Sequence, residues 1–300
     1  MSLEVFTPKS LPPLPPGRSR YGVLGHPVAH SLSPILHHAA FQALDLDAEY
    51  LRIDVTSEQL VAAIPLLKKG GVQGWNCTLP HKSSMFSLLD DADSSALEVK
   101  SVNTVRVENG RLRGFSTDAP GWRAAVDEHW GIRPEKSRIL VMGCGGVGQT
   151  LARSLAKSGC KALTLVNRDP TKAKKLFEEL GSASAGRFPI RWVAWQSQDL
   201  DQALHETDLL IQGTSLGLKA EDPLPFDPSK LPPEAKIYDT VYRKDLTPLV
   251  QTARKLGYQA EDGLSMLLHQ GALSFGIWTG RKAPTEKMRA ALLGAAGRSP

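Results

Sequence analysis

Short apolar runs alternate with amphipathic stretches along most of the chain, a pattern typical of β-strands connected by α-helices. In the first part, apolar runs predict strands at residues 21–25, 49–55, 72–77, 102–108 and 111–115. The last two flank Asn109-Gly110, a dipeptide that strongly favours a two-residue β-hairpin. Helices are predicted from Ser33-Pro34, with Ser33 as the N-cap, and after a capping box at residues 56–59.

From about residue 120 the alternation becomes more regular. Strands are predicted at residues 138–142, 162–166, 191–194, 209–212 and 236–239, and helices from residue 147 and over 172–180, 263–273 and 286–293. Strands that alternate with helices predict a parallel sheet with helical crossovers. We therefore predict an α/β protein with two α/β domains, which suits a chain of 300 residues.

The change of pattern also predicts the domain boundaries. Residues 21–119 form the first predicted domain, and residues 120–261 form the second. Residues 1–20 carry five prolines within their first sixteen positions, and we predict an extended, flexible tail there.

Composition excludes several classes of protein. The 36 Lys and Arg residues only slightly outnumber the 31 Asp and Glu residues and do not cluster, so no nucleic-acid partner is expected. The mean hydropathy is −0.21 and no apolar run approaches the roughly 18–20 residues of a membrane span, so no membrane partner is expected. Three cysteines, Cys77, Cys144 and Cys160, are too few for a disulfide framework and are typical of a cytoplasmic protein.

A glycine-rich loop is the first chemical signal. Residues 143–148 read Gly-Cys-Gly-Gly-Val-Gly, which fits the pattern G-x-G-x-x-G between a predicted strand and a predicted helix. In that context the glycines let the backbone approach a pyrophosphate, and the helix N-terminus favours its negative charge. The sequence therefore predicts a dinucleotide-binding loop.

The end of the next strand indicates which dinucleotide binds. NAD-binding domains usually have an acidic residue there, whereas this chain has Asn167 and Arg168, with Lys172 one turn into the next helix. Arginine suits a phosphate group, so NADP is favoured over NAD. We interpret Asp169 as the N-cap of the helix that begins at Pro170.

Two other patterns lack the context that they need. Residues 213–217 fit the G-x-S-x-G signature of serine hydrolases, but five prolines at 223–233 exclude the helix that this nucleophile requires. We predict a loop beside the cofactor instead.

Four histidines lie close together in the sequence: His26, His30, His37 and His38. Prolines interrupt that segment and no acidic ligand lies between the histidines, so no metal site is expected.

Two groups of polar residues are candidates for binding and catalysis. Ser31 and Ser33 stand at the start of a predicted helix, where hydroxyls and the helix dipole suit a small carboxylate. Lys82 follows one strand and Asp118 follows the hairpin. Such a pair can move a proton at a carbonyl oxygen beside a hydride donor. From these residues alone, a solvated surface lysine and a helix-capping aspartate remain open alternatives.

These residues belong to a series of segments that resembles the shikimate dehydrogenase family along nearly the whole chain. The matching segments are residues 25–34, 76–82, 101–104, 117–118, 143–148, 167–168, 213–217, 239–242 with 247–249, and 262–270. The resemblance implies reversible reduction of 3-dehydroshikimate to shikimate by NADPH, on the pathway to chorismate and the aromatic amino acids.

The resemblance also implies an architecture. It implies a substrate-binding domain formed by residues 21–119 plus 262–300 and a Rossmann-type NADP-binding domain formed by residues 120–261, with a deep cleft between them. The implied partner is a small-molecule substrate, and the expected state is a monomer or a homodimer.

The family pattern assigns roles to individual residues. Lys82 is the general acid/base, paired with Asp118. The implied substrate-binding residues are Ser31, Ser33, Thr78, Asn103, Tyr242 and Gln270. The implied cofactor-binding residues are Gly143, Gly145, Gly146, Val147, Gly148, Asn167, Arg168, Lys172, Thr214, Thr240 and Gly263. Three residues depart from the usual family pattern, namely Ser116, Gln212 and Thr240.

Two further functions remain alternatives. The nearer one is a quinate or dual quinate/shikimate dehydrogenase that uses NAD, although Ser33 favours shikimate and Arg168 favours NADP. The remote one is a non-catalytic homologue that senses metabolites of the same pathway. Lys82 and Asp118 are both present and no DNA-binding segment is evident, so we do not favour that alternative.

Overall fold

The computed structural model describes residues 4–298 apart from residues 185, 196 and 220. The strands are β1 Val5–Phe6, β2 Ser19–Gly25, β3 Ala48–Asp54, β4 Val72–Cys77, β5 Asp91–Ala92, β6 Thr104–Glu108, β7 Arg111–Phe115, β8 Arg138–Met142, β9 Ala162–Asn167, β10 Ile190–Ala194, β11 Leu209–Gln212, β12 Lys236–Asp239 and β13 Gln259–Glu261. The helices are α1 Ser33–Ala43, α2 Leu60–Lys69, α3 Lys82–Phe86, α4 Ser94–Val99, α5 Asp118–Trp130, α6 Gly146–Ser158, α7 Pro170–Ser184, α8 Gln198–His205, α9 Pro248–Lys255, α10 Leu264–Thr279 and α11 Thr285–Ala295. Within the described residues, every helix is too short or too polar to span a bilayer.

Two compact units make up the chain. The first unit is Met1–Gly121 with Leu267–Pro300, and the second unit is Trp122–Met266. The sheet of the first unit has the order β1-β3-β2-β4-β6-β7-β5. Strands β1, β3, β2 and β4 are parallel, whereas β6 runs antiparallel to both β4 and β7. As a result, the carboxyl ends of β2, β3, β4 and β7 and the amino end of β6 lie at one edge of the sheet.

The predicted hairpin is confirmed. Strands β6 and β7 pair antiparallel, and the two residues between them have positive φ, 51° at Asn109 and 75° at Gly110. A type I′ turn requires this left-handed backbone at both central positions, which asparagine and glycine adopt most readily. Behind the sheet, a buried apolar cluster that includes Ile53, Leu67 and Trp75 holds α2 and the hairpin in place.

The N-terminal segment packs against the first unit, so the prediction of a flexible tail over residues 1–20 is wrong for the described residues 4–20. Strand β1 pairs in parallel with β3. The guanidinium of buried Arg20 donates to the Pro12 carbonyl at 2.8 Å and to the Glu49 carboxylate at 2.5 Å. Leu11 packs closely against Gly70: a Cβ added to Gly70 would lie 2.6 Å from Leu11 Cδ1. Prolines cannot donate hydrogen bonds, but their carbonyls and the leucines between them still anchor the segment.

The sheet of the second unit is wholly parallel, with the order β10-β9-β8-β11-β12-β13. Numbered within the unit, this is the order 3-2-1-4-5-6 of a Rossmann fold. Its core includes Leu140, Leu210 and Ile237, each from a different strand and fully buried. The predicted α/β class with a Rossmann-type domain is confirmed, and the short strand β13 is an addition that the sequence pattern did not predict.

Candidate functional site

Strand directions bring three predicted site residues to the same edge of the first unit. Lys82 begins α3 after β4, Asn103 precedes β6, and Asp118 begins α5 after β7. The register pairs Asn76 with Thr104, so the end of β4 lies beside the start of β6. The antiparallel register of β6 with β7 then adds the segment that carries Asp118. Residues far apart in sequence therefore become neighbours.

Lys82 and Asp118 form a buried ion pair. Lys82 Nζ lies 2.5 Å from Asp118 Oδ2, and the two side chains are 11% and 5% exposed. The other carboxylate oxygen, Oδ1, accepts a hydrogen bond from Asn103 Nδ2 at 3.0 Å. Lys82 is therefore not a solvated surface residue. Because each charge compensates the other, removal of either side chain would leave an uncompensated charge in a buried position.

Asn103 connects this pair to α10. Its Oδ1 accepts the backbone N–H of Thr117 at 2.7 Å, and its Nδ2 also donates to Gln270 Oε1 at 3.1 Å. The sequence did not predict a role for Ser274, although it stands one helical turn after Gln270. The Ser274 hydroxyl lies 2.7 Å from Thr104 Oγ1. A serine four positions from a predicted site residue, in a mainly apolar helix, was the available signal.

The segment that carries Ser31 and Ser33, here called the serine loop, differs from its prediction at the start of α1. Helix α1 begins at Ser33, but its N-cap is Leu32, without a side-chain bond, so the predicted capping role of Ser33 is wrong. Instead, the Ser31 hydroxyl accepts the backbone N–H of Ser33 at 3.3 Å. Arg52, which the sequence did not predict to be involved, donates from Nε and Nη2 to the Ser31 carbonyl at 3.0 and 2.6 Å. A buried guanidinium is thus bonded to the backbone of Ser31.

The turn between β4 and α3 fixes where α3 begins and so positions Lys82, its first residue. Thr78 donates its N–H to the Leu24 carbonyl at 2.9 Å, and a Cβ at Gly25 would lie 2.4 Å from the Thr78 methyl group. His81 Nε2 donates to the Val55 carbonyl at 2.6 Å. Burial lowers the pKa of His81, so the neutral ring anchors the turn to the end of β3. Cys77, at the end of β4, is also buried, which raises the pKa of its thiol to about 12.

The clustered histidines have separate structural partners. His26 pairs with Asp54 at 2.8 Å, and His38 Nε2 accepts the Tyr50 N–H at 3.1 Å. His37 stacks on the Tyr50 ring with centroids 4.3 Å apart. Among the residues that the structure describes, no three His, Cys, Asp or Glu side chains are grouped to hold a metal ion.

In the second unit, the glycine loop is shaped by close backbone contacts. Gly143 has φ 100°, and a Cβ at Gly148 would lie 1.8 Å from the Gly143 carbonyl oxygen. These two positions therefore require glycine for the fold itself. At Gly145, by contrast, a Cβ would meet no atom within 4 Å. Here the absence of a side chain leaves open space beside the start of α6, which fits the pyrophosphate of a dinucleotide.

Asn167 secures the glycine loop to β9. Its Oδ1 accepts the Cys144 N–H at 2.9 Å, and its Nδ2 donates to the Asp169 carbonyl at 2.9 Å. Asp169 is confirmed as a cap, because its carboxylate accepts the N–H of Thr171 at 3.0 Å in the first turn of α7. Burial raises the pKa of the Cys144 thiol to about 12. Arg168 is exposed, as is Lys172.

The remaining predicted cofactor residues adjoin the ends of β11 and β12. A Cβ at Gly143 would lie 2.6 Å from the Thr214 methyl group, and one at Gly263 would lie 2.3 Å from the Thr240 carbonyl oxygen. Strand β11 is followed by turns over residues 213–219, where a hydrolase would need a helix. Tyr242 belongs to the second unit, unlike the other predicted substrate-binding residues.

Three family descriptions match successive parts of the chain. Residues 23–105 match the shikimate dehydrogenase substrate binding domain, residues 128–219 match shikimate / quinate 5-dehydrogenase, and residues 263–293 match the shikimate 5'-dehydrogenase C-terminal domain. Shikimate dehydrogenase (NADP(+)) from Desulfitobacterium hafniense is 36% identical over 91% of this chain and 96% of its own. Its counterpart from Rubrobacter xylanophilus is 39% identical over 95% and 99%.

A solved structure agrees with these relatives. The shikimate 5-dehydrogenase of Thermus thermophilus in complex with NADP(H) and shikimate is 36% identical to this chain. It superposes with a TM-score of 0.81, over 92% of this chain and 99% of that one. Likeness of this extent in sequence and in fold, over almost all of both chains, means that the protein belongs to the shikimate dehydrogenase family.

Proposed function

We propose that this chain catalyses the reversible, NADPH-dependent reduction of 3-dehydroshikimate to shikimate. The observation that carries the proposal is the Lys82–Asp118 pair, 2.5 Å apart in a buried polar cluster. Relatives that match almost the whole chain carry the name shikimate dehydrogenase (NADP(+)). The structure from Thermus thermophilus contains both NADP(H) and shikimate.

Lys82 handles the proton in this proposal. When bound, NADPH supplies the hydride. The Lys82 ammonium stabilises the negative charge that develops on the substrate carbonyl oxygen and then donates its proton to that oxygen. Asp118 orients Lys82 and balances its charge away from bulk water. In the oxidation of shikimate, neutral Lys82 accepts the hydroxyl proton.

Other residues of the first unit hold the substrate. Ser31 and Ser33 bind its carboxylate, and the positive charge of Arg52 behind the Ser31 carbonyl favours an anion there. The side-chain amides of Asn103 and Gln270 bind ring hydroxyls. Thr78 contributes a further hydroxyl from the turn before α3.

The second unit holds the cofactor. The backbone at Gly145, Gly146 and Val147 binds the pyrophosphate at the start of α6. Arg168 and Lys172 bind the 2′-phosphate, which makes NADP the preferred cofactor. Residues 120–261 are thus the NADP-binding domain, and residues 21–119 plus 262–300 are the substrate-binding domain. We expect the enzyme to act in the cytoplasm as a monomer or homodimer.

The test is a turnover assay that follows reduction of NADP with shikimate, with quinate and NAD as separate arms. The wild type should prefer shikimate and NADP. Lys82→Ala should lower kcat by about 100- to 10,000-fold with little change in KM for shikimate. Lys255→Ala, an exposed lysine at the end of α9, is the matched control and should retain wild-type turnover. Absence of shikimate turnover, or a Lys82→Ala variant with unchanged kcat, would overturn the proposal.

A further inference from the structure

Two fully buried polar side chains lie side by side at the carboxyl ends of β11 and β12. The parallel register places Gln212 opposite Asp239, and both residues are 0% exposed. Neither residue belongs to the proposed substrate or cofactor contacts. A buried carboxylate is costly unless hydrogen bonds compensate its lost hydration, so its partners indicate what it is there to hold.

Asp239 has partners in the segment that follows its own strand. Its Oδ1 accepts the backbone N–H of Val241 at 3.0 Å, and its Oδ2 accepts the Thr247 hydroxyl at 2.7 Å. The Thr247 hydroxyl in turn accepts the Val250 N–H at 3.3 Å and so caps α9. One carboxylate therefore fixes both ends of the segment 241–247.

Gln212 connects the same carboxylate to the other loop. Its Nε2 donates to Asp239 Oδ1 at 3.2 Å and to the Leu216 carbonyl at 2.9 Å. Its Oε1 accepts the Thr214 N–H at 2.5 Å. Both ends of this amide are thus bonded within the loop 213–217. Two loops that follow neighbouring strands are linked through one pair of buried side chains.

We infer that Asp239 is a positioning residue for the cofactor: with Gln212 and Thr247, it locks the loops 213–217 and 241–247 into the one arrangement that receives the nicotinamide half of NADP. A Rossmann fold binds its ligand outside the carboxyl ends of the strands, across the point where strand order reverses. The glycine loop follows β8, on one side of that point, and these two loops follow β11 and β12, on the other. The inference rests on the proposed function, because it assumes a dinucleotide at this edge.

A matched pair of threonines tests the lock. Thr247→Val keeps the shape of the side chain but removes the hydroxyl that Asp239 Oδ2 accepts. Thr207→Val makes the same change at a second buried threonine of the same unit, whose hydroxyl donates to the Ala203 carbonyl at 2.7 Å before β11 begins. Thr207→Val loses one buried hydrogen bond, whereas Thr247→Val loses the bond to Asp239 and also the cap of α9, and only the Thr247 variant loses these bonds at the carboxyl edge. Thr247→Ser restores the hydroxyl.

Calorimetric titration of NADP into the full chain is the first readout. Thr247→Val should bind NADP about tenfold more weakly, whereas Thr247→Ser and Thr207→Val should bind it as the wild type does. Gln212→Met, which keeps the length of the side chain and removes its amide, should also weaken NADP binding.

The pH of these titrations follows from Asp239. Burial raises the pKa of Asp239 to about 7, and the Asp262 carboxylate adds to this shift. The titrations are therefore run about 1.5 pH units above that value, where the carboxylate is ionised.

Kinetics separate a positioning role from a structural one. For Thr247→Val, kcat/KM for NADP should fall by about tenfold, whereas for Thr207→Val it should stay within twofold of the wild-type value. Equal loss of melting temperature in both valine variants, with wild-type NADP affinity and kcat in each, would overturn the inference. If Thr247→Val does not fold, wild-type NADP binding by Gln212→Met would overturn it. A wild type that binds NADP but does not turn over shikimate would instead refute the proposed function.

Discussion

His37 should make the first unit sensitive to acid. Its side chain is fully buried against the rings of Tyr50 and Trp278, with centroids 4.3 and 5.3 Å away. Neither ring nitrogen has a hydrogen-bond partner among the described residues. Burial lowers the pKa of His37 from 6.5 to about 3, and the neighbouring charge of His38 adds to this effect. His37→Phe keeps an aromatic ring and removes the titrating group.

The sign follows from proton uptake in the unfolded chain. Between pH 6.5 and about 3, the imidazole binds a proton in the unfolded chain but not in the folded one. The free energy of unfolding therefore falls as the pH drops through this window, by about 1.4 kcal/mol for each pH unit. Above pH 6.5 the imidazole is neutral in both states and contributes no slope. At about pH 5 the loss due to His37 amounts to about 2 kcal/mol.

Urea unfolding of the wild type and of His37→Phe, repeated between about pH 8 and pH 5, measures this loss. The stability difference between the two proteins should be constant above pH 6.5 and should shift by about 2 kcal/mol in favour of the variant at pH 5. The control is Phe275→Leu, a buried residue of the same aromatic cluster that contacts the Phe41 ring, which should lower stability equally at every pH. Parallel curves for the wild type and His37→Phe would refute the reasoning.

Three further substitutions test other parts of the structure. Gly148→Ala should weaken NADP binding at least tenfold in calorimetry, because the new Cβ would lie 1.8 Å from the Gly143 carbonyl; unchanged affinity would contradict the close packing of that loop. Arg168→Gln should lower the ratio of kcat/KM with NADP to that with NAD by about 10- to 100-fold, and an unchanged ratio would exclude a phosphate contact. Arg52→Met should raise KM for shikimate about tenfold at similar kcat, since the Ser31 carbonyl loses its donors. A wild-type KM would show that the serine loop does not depend on Arg52.

The parts of the fold that the sequence predicted well depend on local signals. Alternating strands and helices, the Asn109-Gly110 turn and the glycine loop each express a short-range preference that the packed chain retains. The N-terminal segment was mispredicted because its partners are distant: Arg20 contacts Glu49 and Gly70. A two-residue strand has too little periodicity to be recognised by itself.

The candidate site shows the same difference between local signals and contacts of distant residues. Lys82 and Asp118 were recognised as polar residues that follow predicted strands, and the family resemblance paired them and added Asn103. Their contact depends on the antiparallel register of β6 with β4 and β7, which no local pattern specifies. Arg52 and Ser274 were missed for a related reason. Each acts from within an element whose pattern predicts only a buried strand or an apolar helix.

The three buried cysteines can report when the segments around them unfold. Cys77 belongs to the first unit, and Cys144 and Cys160 belong to the second, and all three are buried with thiol pKa values raised to about 12. A thiol reagent attacks the thiolate, which is scarce at such a pKa, and must also reach the sulfur. Alkylation of the native protein therefore proceeds only as fast as the surrounding segment unfolds. Mass-spectrometric labelling at Cys77 would time the exposure of the strand before Lys82, and labelling at Cys144 would time that of the nucleotide loop.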